Sequence, residues 1–156
     1  MGQVHFYHLT RSDLAGTVMV LLGKCQAAGW RVELRGQDAE AMAWLDEKLW
    51  LGPKDGFLAH GRSGGDHDAA QPILLTVVGE VAVNDASVIL SVLGADISPA
   101  DVAAHERTII IFDGGDGDAL ARARTQWKVL TDAGCAALYW SEESGRWEEK
   151  ARKNVS

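Results

Sequence analysis

The strongest constraint on the fold is a regular change of hydrophobic period along the chain. Short apolar runs of strand length alternate with segments whose apolar residues recur every three or four positions, across connections of only a few residues. Residues 4–9 are apolar and aromatic, and Thr10, Ser12 and Asp13 behind them are good helix N-caps. Leu14, Val18, Leu21, Leu22 and Cys25 then repeat at helical spacing until Gly29, which serves as a stop. Residues 30–34 read as a second strand, and Gln37-Asp38 caps a second helix through Ala39, Met42, Leu45 and Leu49. Beyond a long polar stretch, residues 73–78 and 88–93 are strand-like and 99–104 suit one short helical turn. Residues 108–112 form a β-branched run fit for burial on both faces. A long helix over about 119–133, closed by Gly134, leads to a last strand at 136–140.

This alternation predicts a single α/β domain over residues 1–145, an open, mainly parallel sheet with helices on both faces. A length of 156 residues and a composition of 47% hydrophobic and 24% charged residues support one core rather than disorder or two domains. Residues 146–156 are expected to be a polar tail that begins as a turn or short helix and frays. The polar stretch at 52–72 is long for a connection in a compact domain, which marks it as functional or mobile. No window approaches the roughly 20 apolar residues of a membrane span. The N-terminus lacks the pattern of a signal peptide, so a cytoplasmic protein without a membrane partner is expected. Cys25 and Cys135 read as small apolar residues rather than a redox pair.

The net charge of −7 argues against wrapping a phosphate backbone by bulk electrostatics. It is uneven: residues 1–118 carry 8 basic and 17 acidic side chains, whereas 119–156 carry 7 and 5. An acidic body with a mildly basic last quarter suggests a local anionic partner.

Enzyme chemistry finds little purchase. The Gly114-Gly115-Asp116-Gly117-Asp118 turn lies between a strand and a helix, where a phosphate loop would sit, but it matches no phosphate-loop pattern and its aspartates would repel phosphate. His60, Asp66, His67 and Asp68 could in principle hold a divalent metal, yet no single element presents them together. No nucleophile elbow surrounds Ser63. Neither a cofactor nor a catalytic residue is expected, and the rival reading is a small nucleotide- or metal-dependent α/β enzyme.

The aromatics say more. Trp50 ends the second helix directly before Gly52-Pro53, and Phe57 follows in the loop, so both can project at one edge of the sheet. On the long helix, Leu120, Ala123, Trp127 and Leu130 define a buried stripe, with Arg124 and Lys128 along one flank beside Trp127. Such a surface can take a ligand that is both aromatic and anionic, its ring in an apolar pocket and its carboxylate on the cations. Cationic stems bordering a core and reaching water would look the same in the sequence.

His5-Phe6-Tyr7-His8-Leu9, Leu45-Asp46-Glu47-Lys48-Leu49-Trp50, Phe57-Leu58-Ala59-His60, and Trp127-Lys128 with Ala133-Gly134 resemble, in order and spacing, the chi subunit family of bacterial DNA polymerase III. The resemblance implies a Rossmann-like fold without nucleotide chemistry and a non-catalytic, accessory role in the replicative holoenzyme. It implies binding to the acidic C-terminal tail of single-stranded-DNA-binding protein, which ends in phenylalanine, and linkage to the clamp loader, with a psi subunit or the clamp loader itself as second partner. Direct sequence-specific nucleic-acid binding is not expected. By the resemblance, Trp50 and Phe57 line the apolar tail pocket, while Arg124, Trp127 and Lys128 supply its arginine, aromatic and lysine. Trp127 stands where the family pattern has tyrosine, the turn at 114–118 is unusually rich in glycine and aspartate, and the charged C-terminus past Trp147 has no assigned place.

Overall fold

The computed structural model describes residues 2–51 and 60–155. In chain order the elements are β1 (Gln3–Leu9), α1 (Leu14–Ala27), β2 (Val32–Gly36), α2 (Ala39–Leu51), β3 (His60–Arg62), a 3-10 turn (Asp68–Ala70), β4 (Ile73–Val77), β5 (Val88–Ser91), α3 (Pro99–Ala104), β6 (Arg107–Asp113), α4 (Gly117–Asp132), β7 (Ala136–Ser141) and β8 (Glu148–Lys153). The strands form one sheet in the order β3-β4-β2-β5-β6-β1-β7-β8. Every neighbouring pair is parallel except β7 with β8. The open, mainly parallel, Rossmann-like sheet expected from the alternating periods is therefore present.

Successive residues of a strand point to opposite faces, so one apolar run feeds two cores. In β6, Ile109 and Ile111 join α1 and α2 residues such as Leu22 and Leu45, while Ile110 and Phe112 join Ala123 and Leu130 of α4 and Val102 of α3. Helices α1 and α2 therefore lie on one face of the sheet and α3 and α4 on the other. Helix ends follow local chemistry. Ser98 and Asp101 form a capping box at α3, the Asp116 carboxylate accepts from the amides of Asp118 and Ala119 at α4, and Gly134 takes a left-handed φ of +90° past the end of α4.

Buried charge between β2 and α3 is paired. Glu33 accepts from Thr76 Oγ1 at 2.7 Å and from Arg35 Nε at 3.0 Å, and Arg35 Nη1 reaches Asp101 at 2.9 Å. Burial works against the Arg35 charge, but the hydrogen bonds to Asp101 and Glu33 outweigh it and hold the guanidinium above its ordinary pKa.

Two segments differ from the sequence expectation. The C-terminal residues form strand β8 rather than a fraying tail, pairing with β7 from Ala137↔Lys153 to Ser141↔Glu148. Backbone pairing carries this strand, and its largely exposed side chains leave no apolar alternation to read. Asn154 locks its end by donating from Nδ2 to the Thr131 and Cys135 carbonyls, each at 3.0 Å. The charged sequence Glu-Glu-Lys-Ala-Arg-Lys also suits an exposed edge strand. The long polar stretch likewise contains structure, β3 and the 3-10 turn, with Asp68 accepting from the Gly64 and Gly65 amides. Among the described residues no helix is long and apolar enough to cross a membrane.

Candidate functional site

Helix α4 presents the side chains that the sequence singled out. Its inner face buries Ala123 and Leu130. Trp127 is half-buried, its ring set edge-on to Phe6 of β1 (centroids 5.3 Å apart) and to Tyr139 of β7 (5.9 Å). Arg124 and Lys128 are exposed. Lys128 Nζ pairs with Asp132 one turn on at 2.9 Å, an exposed contact that solvent screens. Arg124 has no ion pair among the described residues, and its charge acts on the Tyr139 phenol. Burial raises the Tyr139 pKa, and Arg124 opposes that rise. Trp127, Arg124 and Lys128 thus share one surface, as the helical wheel predicts.

Tyr139 and His8, which sequence reasoning did not select, complete this surface. The Tyr139 hydroxyl lies 2.7 Å from His8 Nδ1, and the two rings meet edge to face at 5.9 Å. Their placement depends on the β1–β7 register, in which Phe6 pairs with Tyr139. Nothing in the local sequence reports that pairing; the only available signal was strand parity, which puts Tyr139 on the same face as the buried Ala137.

His8 is held from behind by Gly114. A Cβ at residue 114 would lie 1.8 Å from His8 Nε2 and 2.9 Å from the Leu9 carbonyl oxygen. We expect Gly114→Ala to cost about 1–3 kcal/mol in urea unfolding, because either His8 leaves Tyr139 or the backbone shifts. Gly117→Ala is the matched control: it meets nothing within 4 Å at the first turn of α4 and should be neutral or slightly stabilising.

Of the five residues expected to line one pocket, Phe57 lies outside the described residues, and among the other four Trp50 is set apart from Arg124, Trp127 and Lys128. Trp50 lies at the end of α2, on the face opposite α4, 56% exposed and with its ring 4.4 Å from that of His60 on β3. Strand β3 is at one edge of the sheet, five strand spacings from β1, or roughly 24 Å at about 4.8 Å per strand. Helical spacing alone could not reveal this separation, since the side of the sheet on which a helix packs is set by its crossover.

The positions where an α/β fold would hold phosphate are filled by the protein's own carboxylates. At the β1–α1 turn, Glu142 Oε2 accepts from three consecutive amides, Thr10 at 3.0 Å, Arg11 at 3.1 Å and Ser12 at 2.9 Å, while Ser12 Oγ donates to Oε1 at 2.7 Å. Three converging amides make an anion nest, and this is the turn where dinucleotide folds place a pyrophosphate. Burial would raise the Glu142 pKa, but these hydrogen bonds overcome it and lower it to about 2. At the β6–α4 turn, Asp113 accepts from Gly115 and Asp116 caps α4. In the polar stretch, His60 Nε2 sits 3.1 Å from the Asp46 carboxylate and Asp68 is engaged with its own loop. Among the described residues, no group of three His, Cys, Asp or Glu could hold a metal ion.

Fold and site together define an open, mainly parallel α/β domain in which Glu142 occupies the amides of the β1–α1 turn and α4 carries a half-buried aromatic beside two exposed cations. The family model described as DNA polymerase III chi subunit, HolC, matches residues 1–137. The chain belongs to that family. It is also similar to a probable DNA polymerase III subunit chi of Rickettsia prowazekii (strain Madrid E), with 27% identity over 103 residues. That alignment covers 66% of this chain and 59% of the relative's length.

Proposed function

We propose that the protein is a non-catalytic accessory subunit of a DNA polymerase III holoenzyme in the cytoplasm. In this reading it binds the acidic, phenylalanine-ended C-terminal tail of single-stranded-DNA-binding protein, and links it to the clamp loader through a psi subunit or directly. The observation that carries the reading is Trp127, half-buried between Phe6 and Tyr139, with Arg124, which has no ion pair among the described residues, beside it and Lys128 one residue on. A terminal phenyl ring packs against the Trp127 and Tyr139 edges, and the tail's carboxylates meet Arg124 and Lys128. The Lys128–Asp132 pair is exposed and weak, so an incoming carboxylate displaces Asp132 at small cost. The chain's overall charge of −7 opposes bare DNA, whereas the local cations steer a short acidic segment.

Trp50 takes no part in this surface.

The test titrates a fluorescent peptide ending in an acidic tail and a terminal phenylalanine. Wild type should bind more weakly as salt rises. Arg124→Ala should lose one charge-assisted contact of about 1.5–3 kcal/mol, a loss of roughly ten- to a hundredfold in affinity. Trp50→Ala should bind like wild type. No binding at low salt, or equal binding by Arg124→Ala, would remove the reading.

A further inference from the structure

Helices cover this sheet unevenly. On the face of α1 and α2, their side chains pack over β4, β2, β5 and β6 and reach Leu9 at the end of β1, while among the described residues no helix lies over β7. Parallel strands are ordinarily covered on both faces, because their side chains are apolar on both. Here the uncovered strip presents Tyr7 and Trp140, neighbours in register, with Trp147 folded over from the β7–β8 turn to meet Tyr7 edge-on at 5.0 Å. All three rings are only half-buried. Between them and α1 runs a groove of about 730 Å³, and Val20 on its α1 wall is 59% exposed.

The groove is long enough for a short helix. Two strands at about 4.8 Å spacing leave a strip about 10 Å wide, the diameter of an α-helix with its side chains. The α1 wall from Asp13 to Lys24 is about 16 Å long at about 1.5 Å per residue, or three turns. Charge defines the chemistry of the occupant. Arg11 stands at one end of the groove and Lys24 at the other, while the carboxylate of Asp13 turns back onto Gly16 of its own helix. Trp140 and Trp147 lie beyond the residues that match the family model, so this wall belongs to the chain's own C-terminal hairpin.

We propose that this groove docks a short amphipathic helix of a partner protein, with an apolar stripe against Tyr7, Trp140, Trp147 and Val20 and acidic side chains that pair with Arg11 and Lys24. The site is separate from the α4 surface, on the opposite face of the sheet, and does not depend on the tail-binding reading.

The probe is a labelled synthetic helical peptide of about 15 residues, with leucine and phenylalanine at i, i+3, i+4 and i+7 and glutamates on its flanks. A second peptide carries lysines in place of the glutamates. Fluorescence anisotropy should show the acidic peptide binding at low salt and the basic one at least about tenfold weaker. Val20→Glu and Lys24→Glu, both on the exposed face of α1, should each weaken the acidic peptide by about tenfold or more, and Arg124→Ala should leave it unchanged. Bound peptide should slow amide exchange in α1 and β7 and not in α4. Absence of binding, equal affinity for the two peptides, undiminished binding by either α1 variant, or protection centred on α4 would each overturn the proposal.

Discussion

Replacing Glu142 with alanine should lower the unfolding free energy by about 3 kcal/mol and the melting temperature by about 6–12 °C. The variant deletes one carboxylate and strands four donors at once, the amides of Thr10, Arg11 and Ser12 and the Ser12 hydroxyl. Thr10, Arg11 and Ser12 are exposed, so water recovers part of what their amides lose, and the lost charge-assisted bonds to the carboxylate set the size of the effect. Glu142→Gln keeps an acceptor at the nest but loses the charge, and should fall between alanine and wild type. The pH dependence has a definite sign. With the carboxyl held at about 2 rather than its ordinary 4.5, the unfolded chain binds the proton first. The stabilisation is complete above pH 4.5 and is lost as pH falls toward 2. Urea unfolding across that window should show the loss in wild type and not in Glu142→Gln. If the two lose stability in parallel, the nest is not what holds the β1–α1 turn.

A second acid-sensitive step should appear at higher pH. His5 is buried on β1 and its Nδ1 accepts the Trp140 indole N–H at 3.0 Å, which fixes the neutral ring with its proton on Nε2. Burial, helped by the Arg107 charge and opposed by Glu149, lowers its pKa from 6.5 to about 4. Below pH 6.5 the unfolded state takes up a proton that the folded state refuses. Stability should therefore be complete above pH 6.5 and fall by about 3 kcal/mol by pH 4. Protonation would also remove the acceptor that Trp140 uses. In His5→Gln the decline between pH 6.5 and 4 should be absent, and the difference between the two proteins' unfolding free energies isolates it. An undiminished decline in the variant would assign the sensitivity to other groups.

How much of this was legible in the sequence depends on whether the signal was local. The helix over 117–132 is announced by an aspartate cap, a 3–4 apolar repeat and a closing glycine, all within its own span. The wheel that groups Arg124, Trp127 and Lys128 is a property of that single helix, so it survives in the structure. The joining of Trp50 to that group did not survive, because it required knowing that α2 crosses over one face of the sheet and α4 over the other. Strand β8 was illegible for a different reason. An edge strand with both faces largely in water has no hydrophobic period, and only its backbone bonds to β7 define it.

Glu142 marks the same divide. In the sequence it is one of two adjacent acidic residues in the run Ser141-Glu142-Glu143-Ser144, with no local signal that sets it apart. Its role arises because β7 lies beside β1 in the sheet, which brings residue 142 to the amides of residues 10–12 from 130 positions away. By itself the sequence determined the order of strands and helices, the apolar faces and the helix caps, since each follows from periodicity and side-chain chemistry within a few residues. The tertiary structure decided which strand lies next to which and which helix covers which face. Those long-range choices put Tyr139 and His8 beside Trp127, set Trp50 on the face opposite α4, brought the Glu142 carboxylate to the β1–α1 amides, and left Tyr7 and Trp140 half-buried beside the groove along α1.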